Sequence, residues 1–174
     1  QEQYIEEAIE GAFSQIYSPM EIILSDDNSN DQTFHIMEKM AKEYTGPHKI
    51  LLNRNNENMG LIRHMNKIVL EISSGDIIVV AAGDDISLRN RVNQSYRIFK
   101  DDSRIMSVSM NLERIDEIGR LIKQKNINSQ LTTLNDFINN PHLLLLGASR
   151  AYRKKIFNFF GELNPNIFGE DSGL

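Results

Sequence analysis

Residues 73–85 read SSGDIIVVAAGDD, and how this stretch is read decides the fold. From Ile77 to Ala82 every position is apolar, where a half-exposed strand would alternate. Such a run suits the central strand of a parallel sheet covered by helices on both faces. It stops abruptly at Gly83-Asp84-Asp85. Before it, Gly75 stands where a helix C-terminus favours glycine, and Leu61, Ile62, Met65, Ile68, Val69 and Ile72 carry the three- and four-residue spacing of that helix.

Further upstream the alternation repeats. Lys49 to Asn53 (KILLN) reads as a strand that opens into the polar, Asn-rich loop NRNNENMG (Asn53 to Gly60). Phe34, Ile36, Met37, Met40, Ala41 and Tyr44 keep a helical period, and before them EIILS (Glu21 to Ser25) is a short strand running into DDNSND. Ile5, Ala8, Ile9, Ala12, Phe13 and Ile16 form the stripe of an amphipathic helix over Gln3 to Ile16, closed before Pro19. Downstream, a helix is expected from Ser87, as N-cap, to Lys100, and a strand from Ile105 to Asn111. Asp116 to Gly119 reads as a hairpin turn, Leu134 to Ile138 as a short helix, and Lys154 to Phe160 as a helix ended by Gly161. No repeat or linker interrupts the chain, so residues 1–174 read as one domain of α/β class.

The 174 residues are 40% hydrophobic and 25% charged, enough for one core, and the net charge of −5 argues against a protein that grips a nucleic-acid backbone. Without cysteine there is no disulfide framework, thiolate metal site or cysteine nucleophile, and a reducing compartment is permitted. The longest apolar runs, IIVVAA and LLLL (Leu143 to Leu146), fall far below the ~18 residues of a membrane helix, so a soluble chain without a signal peptide is expected.

In open α/β sheets ligands gather at the carboxyl ends of the strands. Both of the clearest strands end there in paired aspartates, Asp26-Asp27 and Asp84-Asp85. A single acidic pair is ordinarily a solvated turn; two at one sheet edge point to a hard cation such as Mg²⁺ or Mn²⁺ that also bridges phosphates. Neither GxxxxGK[ST] nor GxGxxG occurs, so no glycine-rich cradle would hold those phosphates. DDNSND also imitates the start of an EF-hand loop, but Asp31 stands where that loop needs glycine and Met37 where it needs a bidentate Glu.

SQIYSPMEIILSDDNSNDQTFHIMEKMA (residues 14–41) resembles the segment S-Q-T-Y-x-x-x-E-I-I-V-x-D-D-x-S-x-D-x-T of family-2, GT-A-type glycosyltransferases. Asn58 to Asn66 is similar to that family's N-x-G-x-x-x-A-R-N, SSGDIIVVAAGDD to its G-x-x-I-x-x-L-D-x-D-D, and FGED (residues 168–171) to its terminal Glu-Asp motif. The matches keep family order and spacing over essentially the whole chain. The resemblance implies a GT-A, Rossmann-like three-layer sandwich with a mainly parallel central sheet, and an inverting, metal-dependent transfer of a sugar from a nucleotide-sugar, a UDP-sugar first among them. The acceptor would be a saccharide or a lipid-linked hydroxyl in cell-surface polysaccharide or glycoconjugate assembly, with no nucleic acid involved. The setting would be cytoplasmic, with peripheral association at the inner face of the membrane.

Carried over by residue, the resemblance gives Asp27 the nucleotide base, with Asp26 beside it, and gives Asp84 and Asp85 the Mg²⁺ or Mn²⁺ and the diphosphate. Asp171 becomes the catalytic base with Glu170 before it, and Gly147-Ala148-Ser149 lines the donor and acceptor cleft. A positioned carboxylate can take the proton an acceptor hydroxyl loses as it attacks the sugar carbon. The chain departs from the pattern in three ways. Ala82 replaces the first acid of D-x-D, Met65 replaces the arginine before Asn66, which leaves Arg63 or His64 to reach a phosphate, and the family's first strand would precede Gln3. A chain truncated at both ends, with a damaged nucleotide pocket, is the expectation.

Blander readings exist for the same residues. Asp171 also fits a helix N-terminus, Arg63 and His64 a helix surface, and Arg150, Arg153, Lys154 and Lys155 a solvated helix face. Met37, Met40, Met59 and Met65 fit core filler, and Asn53 to Asn58 a plain loop or a lid. Two other functions stay open at this point: a sugar nucleotidyltransferase, whose glycine-rich loop would have to lie upstream of Gln1, and a non-catalytic nucleotide-binding or interaction module.

Overall fold

The computed structural model describes residues 1–116, 118–122, 130–139 and 147–163. The order is α1 (Ile5–Phe13), β1 (Glu21–Asp26), α2 (Thr33–Glu43), β2 (Lys49–Arg54), then α3 (Leu61–Asn66), which runs on as a π-helical stretch, Lys67–Ile72. There follow β3 (Ile77–Val79), α4 (Arg91–Asp101), β4 (Ile105–Ser109), the hairpin β5 (Arg114–Ile115) and β6 (Leu121–Ile122), β7 (Gln130–Thr133), α5 (Leu134–Asn139), β8 (Arg150–Arg153) and α6 (Lys155–Phe160).

β1 and β2 form a parallel pair in register from Glu21↔Lys49 to Asp26↔Arg54. The stripes of α1 and α2 cover it, with Ile5, Ile9 and Met37 packed on Ile22 and Leu24. The second sheet has the order β3-β8-β4-β7, and each pairing in it is antiparallel. β3 and β4 therefore run the same way on either side of β8. Along β3 the faces alternate: Ile78 and Val80 pack with Ile62, Tyr152 and Phe157, while Ile77 and Val79 pack with Phe99, Val108 and Ala151. Helices α3 and α6 thus cover one face and α4 the other, and this is why Ile77 to Val80 carry no polar position, while Ala81 beyond them is exposed. A bulge in β4 between Ile105 and Ser107 resets its alternation, so Ile105 and Val108 share a face although three residues apart.

The α/β reading and the helices on both faces hold, while the central strand differs from expectation. β3 pairs antiparallel with β8 instead of sitting inside a parallel set, and it is shorter than the Asp76 to Ala82 run. Apolar composition reports two covered faces and says nothing of a neighbour's direction, and that neighbour comes from more than seventy residues downstream. Arg150 and Arg153 accordingly lie on a strand, not on a solvated helix face. Arg153 spans the end of α4, donating to the carbonyls of Phe99 and Ile105 with its guanidinium over the Phe99 ring, and Lys154 donates to the Ser73 carbonyl where the π-helical stretch ends. Ser87 is not the N-cap of α4, which begins at Arg91; its hydroxyl accepts from Arg91 instead.

Candidate functional site

The period of a strand decides what each aspartate after β1 does. Ile22, Leu24 and Asp26 point inward along β1, so Asp26 is the last inward position and only 2% exposed. Its carboxylate accepts from the Ser29 amide and pairs with Arg54 at 3.3 Å, its direct cross-strand neighbour, whose guanidinium lies over Phe34. Asp26 therefore shapes the loop, and Asp27, one position on, faces the site. Asn28 after it takes a left-handed conformation with φ 61°, which Asn tolerates better than most side chains.

Asp27 organises the loop that follows β2. Its Oδ1 accepts from Asn55 Nδ2 at 2.7 Å and from the Met59 amide at 3.0 Å, and its Oδ2 accepts from the Gly60 amide at 2.9 Å. A carboxylate offers about four lone-pair positions, so one on Oδ2 is left for a donor outside this set. Gly60 starts α3 at φ 79°, a conformation that suits glycine, and so brings its amide onto Asp27. Asn55 is buried; Lys67 donates to its Oδ1 at 2.8 Å, and its Nδ2 lies 2.7 Å from Nδ1 of the buried His64. Lys67 opens the π-helical stretch, a distortion that often marks functional positions. Arg63, on the same helix, is exposed.

Asp84 and Asp85 stand on the loop after β3, both with accessible surface. Partial burial raises the Asp85 carboxyl above its ordinary value, the like charge of Asp84 adds to this, and Arg91 opposes it. Arg91 is the site residue that sequence reading missed. Its guanidinium donates to the Ser87 hydroxyl and to the carbonyls of Val80 and Ala148, so it ties the end of β3 to Gly147-Ala148-Ser149 while facing Asp85. Ser149 extends this join: its carbonyl accepts from the Met110 amide, and Val80 donates to the Arg150 carbonyl. An arginine inside a helical stripe gives no sequence signal for such a bridge.

α1 and the residues just after it hold the acidic loop from behind. Gln15 Nε2 donates to the Leu88 carbonyl at 2.9 Å while its Oε1 accepts from the Val92 amide at 3.0 Å. Gly11 lets the helix touch that loop, since a Cβ there would lie 2.9 Å from the Ser87 amide nitrogen. On the other side, Asn66 clamps the backbone of Leu163, donating to its carbonyl and accepting from its amide, both at 2.9 Å. Glu170 and Asp171 lie outside the described residues.

The arrangement gathers Asp84 and Asp85 with Gly147-Ala148-Ser149, and α3 links this end of β3 to Asp27 through Ile62 and Met65, which pack with Ile78 and Val80. Among the described residues no group of three or more His, Asp or Glu side chains gathers as a self-sufficient metal centre. Two adjacent carboxylates, one held above its ordinary value partly by the other, fit a divalent cation that takes its remaining ligands from water and phosphate. Among the described residues no helix is long and apolar enough to cross a membrane.

Known proteins bear on this geometry. The model of the family described as glycosyl transferase family 2 matches residues 1–160. EpsE of Bacillus subtilis strain 168, named as a glycosyltransferase, is 29% identical over 119 residues, which cover 68% of this chain and 41% of that protein. An uncharacterized glycosyltransferase of Haemophilus influenzae is 30% identical over 116 residues, covering 67% of this chain and 35% of its own. The chain thus spans well under half the length of these two relatives. Among solved structures, residues 1–349 of TarS from S. aureus superpose with a TM-score of 0.67 over 97% of this chain and 49% of that one, at 19% identity, a likeness of fold.

Proposed function

The chain belongs to glycosyl transferase family 2, and from that membership we propose that the whole protein moves a sugar from a nucleotide-sugar, a UDP-sugar, to an acceptor hydroxyl in cell-surface polysaccharide or glycoconjugate assembly. The observation that carries the reading is the join made by Arg91, which holds the Asp84-Asp85 loop against Gly147-Ala148-Ser149, so that a diphosphate and its sugar would meet at one sheet edge. Asp27 fits a place beside a nucleotide base: it accepts only, and its remaining lone pair on Oδ2 calls for an N–H donor of the kind a base presents.

In this reading Asp84 and Asp85 hold Mg²⁺ or Mn²⁺, which when bound neutralises charge on the departing diphosphate. Arg63, exposed on α3, serves the nucleotide phosphates, and Asp27 the base. Gly147, Ala148 and Ser149 line the cleft for donor sugar and acceptor. Asp171, with Glu170 beside it, takes the acceptor hydroxyl proton as the oxygen attacks the anomeric carbon from the face opposite the leaving group, and this inverts the centre. The acceptor is a saccharide or lipid-linked hydroxyl, and the reaction takes place in the cytoplasm at the inner face of the membrane.

The test is a transfer assay with labelled UDP-sugars on the whole protein and its Asp171→Asn variant. The proposal expects transfer to fall by ~10³-fold or more while UDP binding stays within about twofold, since a general base contributes ~10²–10⁴. Equal loss of both overturns the role of Asp171. Nucleotide binding without transfer in the unaltered protein would instead favour a non-catalytic module, for which Ala82 in place of an acid is the supporting observation.

A further inference from the structure

His64 is 8% exposed and sits on α3 with its Nδ1 2.7 Å from Asn55 Nδ2 and 3.7 Å from Asp27 Oδ1. The orientation of the Asn55 amide is fixed from its other end. Its oxygen accepts from Lys67 Nζ at 2.8 Å and from Asn53 Nδ2 at 3.4 Å, so the NH₂ group faces both the Asp27 carboxylate and the imidazole. One hydrogen of that group goes to Asp27. The other is aimed at His64 Nδ1, which must accept it, so the ring is neutral and carries its proton on Nε2.

We propose that His64 is a positioning residue for Asp27: its neutral imidazole holds Asn55, and through Asn55 the carboxylate and the Asn55 to Gly60 loop, in the geometry that receives the nucleotide base. This rests on the reading of Asp27 as the base-binding group. It goes beyond that reading in naming what sets the carboxylate and under which protonation state. Protonation at Nδ1 puts an N–H against the Asn55 NH₂, where two donors repel, and offers the same N–H to Asp27 Oδ1. The imidazolium then takes the oxygen that Asn55 and the Met59 amide now share, and the loop loses its anchor. The charges that face the ring are the Asp27 carboxylate from the loop after β1, the Lys67 ammonium one turn along the same helix and Arg63 beside it, and the Arg54–Asp26 pair at the end of β2 and β1 is already internally matched. The cost of the exchange is that of one or two internal hydrogen bonds, which corresponds to about a tenfold change in the fraction of closed loop.

Two measurements on the whole protein test this. The first is the ¹⁵N spectrum of the His64 ring at pH 7.5: an unprotonated Nδ1 with the proton on Nε2 is expected, and an Nδ1–H tautomer or an imidazolium overturns the proposal. The second is the protection of the Met59 and Gly60 amides against hydrogen exchange, at pH 7.5 and 5.5, in the native protein and in His64→Asn, whose Oδ1 replaces Nδ1 as an acceptor that does not titrate. The native protein should lose about tenfold protection on acidification, and the variant should keep native protection at both pH values. Equal loss in both, or none in either, overturns it. UDP affinity with Mn²⁺ should follow the same pattern, with the variant carrying the nucleotide's own titration as the control. Failure of UDP to bind at any pH while the ring and amide results hold would sink the base-binding role of Asp27 and leave the His64 latch standing.

Discussion

At Asp85 stability pulls against the metal-binding role proposed for it. Burial and the Asp84 charge raise its carboxyl in the folded chain, with Arg91 in opposition, so folding favours the protonated form. That contribution is fully present below the ordinary carboxylate range and is lost as pH rises through the raised folded value. Asp85→Asn should therefore melt at a higher temperature than the native protein at pH 7.5, with the gap closing near pH 4, and should lose Mn²⁺-dependent nucleotide binding. Thermal melts in EDTA at the two pH values check the first half; a variant less stable at pH 7.5 would contradict it. Arg91 is the opposite case, a half-buried cation whose donors are satisfied by Ser87, Val80 and Ala148. Arg91→Met should cost about 3 kcal/mol in denaturant unfolding, because charged hydrogen bonds are lost and carbonyls are left unpaired. The Asp84-Asp85 pair was legible from sequence, whereas Arg91 was not. An acidic pair after an apolar run is a local pattern, and the Arg91 bridge joins residues fifty-seven apart. Asp26 and Asp27 were legible as a pair, and the alternation along β1 then separates their tasks.

At the scale of elements, α1 and α3 hold the site in place, and α3 also carries Arg63. Gly11→Ala would drive a Cβ into the Ser87 backbone, and since backbone cannot yield as a flexible side chain does, the cost should be about 1–3 kcal/mol. The displaced loop carries Asp84 and Asp85, so nucleotide affinity should fall with stability; a variant as stable as the native chain would contradict the close approach. Asn66→Ala leaves the Leu163 amide and carbonyl buried and unpaired, at about 1–3 kcal/mol, with faster exchange of the Leu163 amide as the specific readout. Most elements were legible because each rests on its own period: α1 under Ile5, Ala8 and Ile9, β1 under Ile22 and Leu24, and the β5–β6 turn under Asp116 and Gly119, whose φ is 78°. The start of α4 was missed because Ser87 satisfies the sequence rule for an N-cap while its hydroxyl is taken by Arg91. β8 was missed because Arg-Ala-Tyr-Arg has only two buried positions, Ala151 and Tyr152, too few to show a strand's alternation.

At the scale of the molecule, two sheets with separate cores are joined at the site. The β1–β2 pair with α1 and α2 holds Asp27 and the β3-β8-β4-β7 sheet holds Asp84, Asp85 and Gly147 to Ser149; α3 ties them through Ile62 in the second core and His64 on Asn55, and Gly11 and Gln15 tie them through Ser87 and Leu88. In the proposed reading, the base would lie against the first sheet and the diphosphate against the second, with the nucleotide-sugar extended across the two. The family was legible because its motifs fall on strand ends and helix starts, where chemistry fixes the residue type. The direction of β3's partner was not, since strand order is set by packing of the whole chain. The central claim is that Asp84 and Asp85 bind a nucleotide through a divalent cation. Calorimetry of UDP, GDP and CDP with the whole protein, in Mn²⁺ and then in EDTA, beside an Asp84→Ala variant, tests it most directly. The account predicts binding of UDP that needs Mn²⁺ and disappears in the variant; equal binding in EDTA, or by Asp84→Ala, would contradict it.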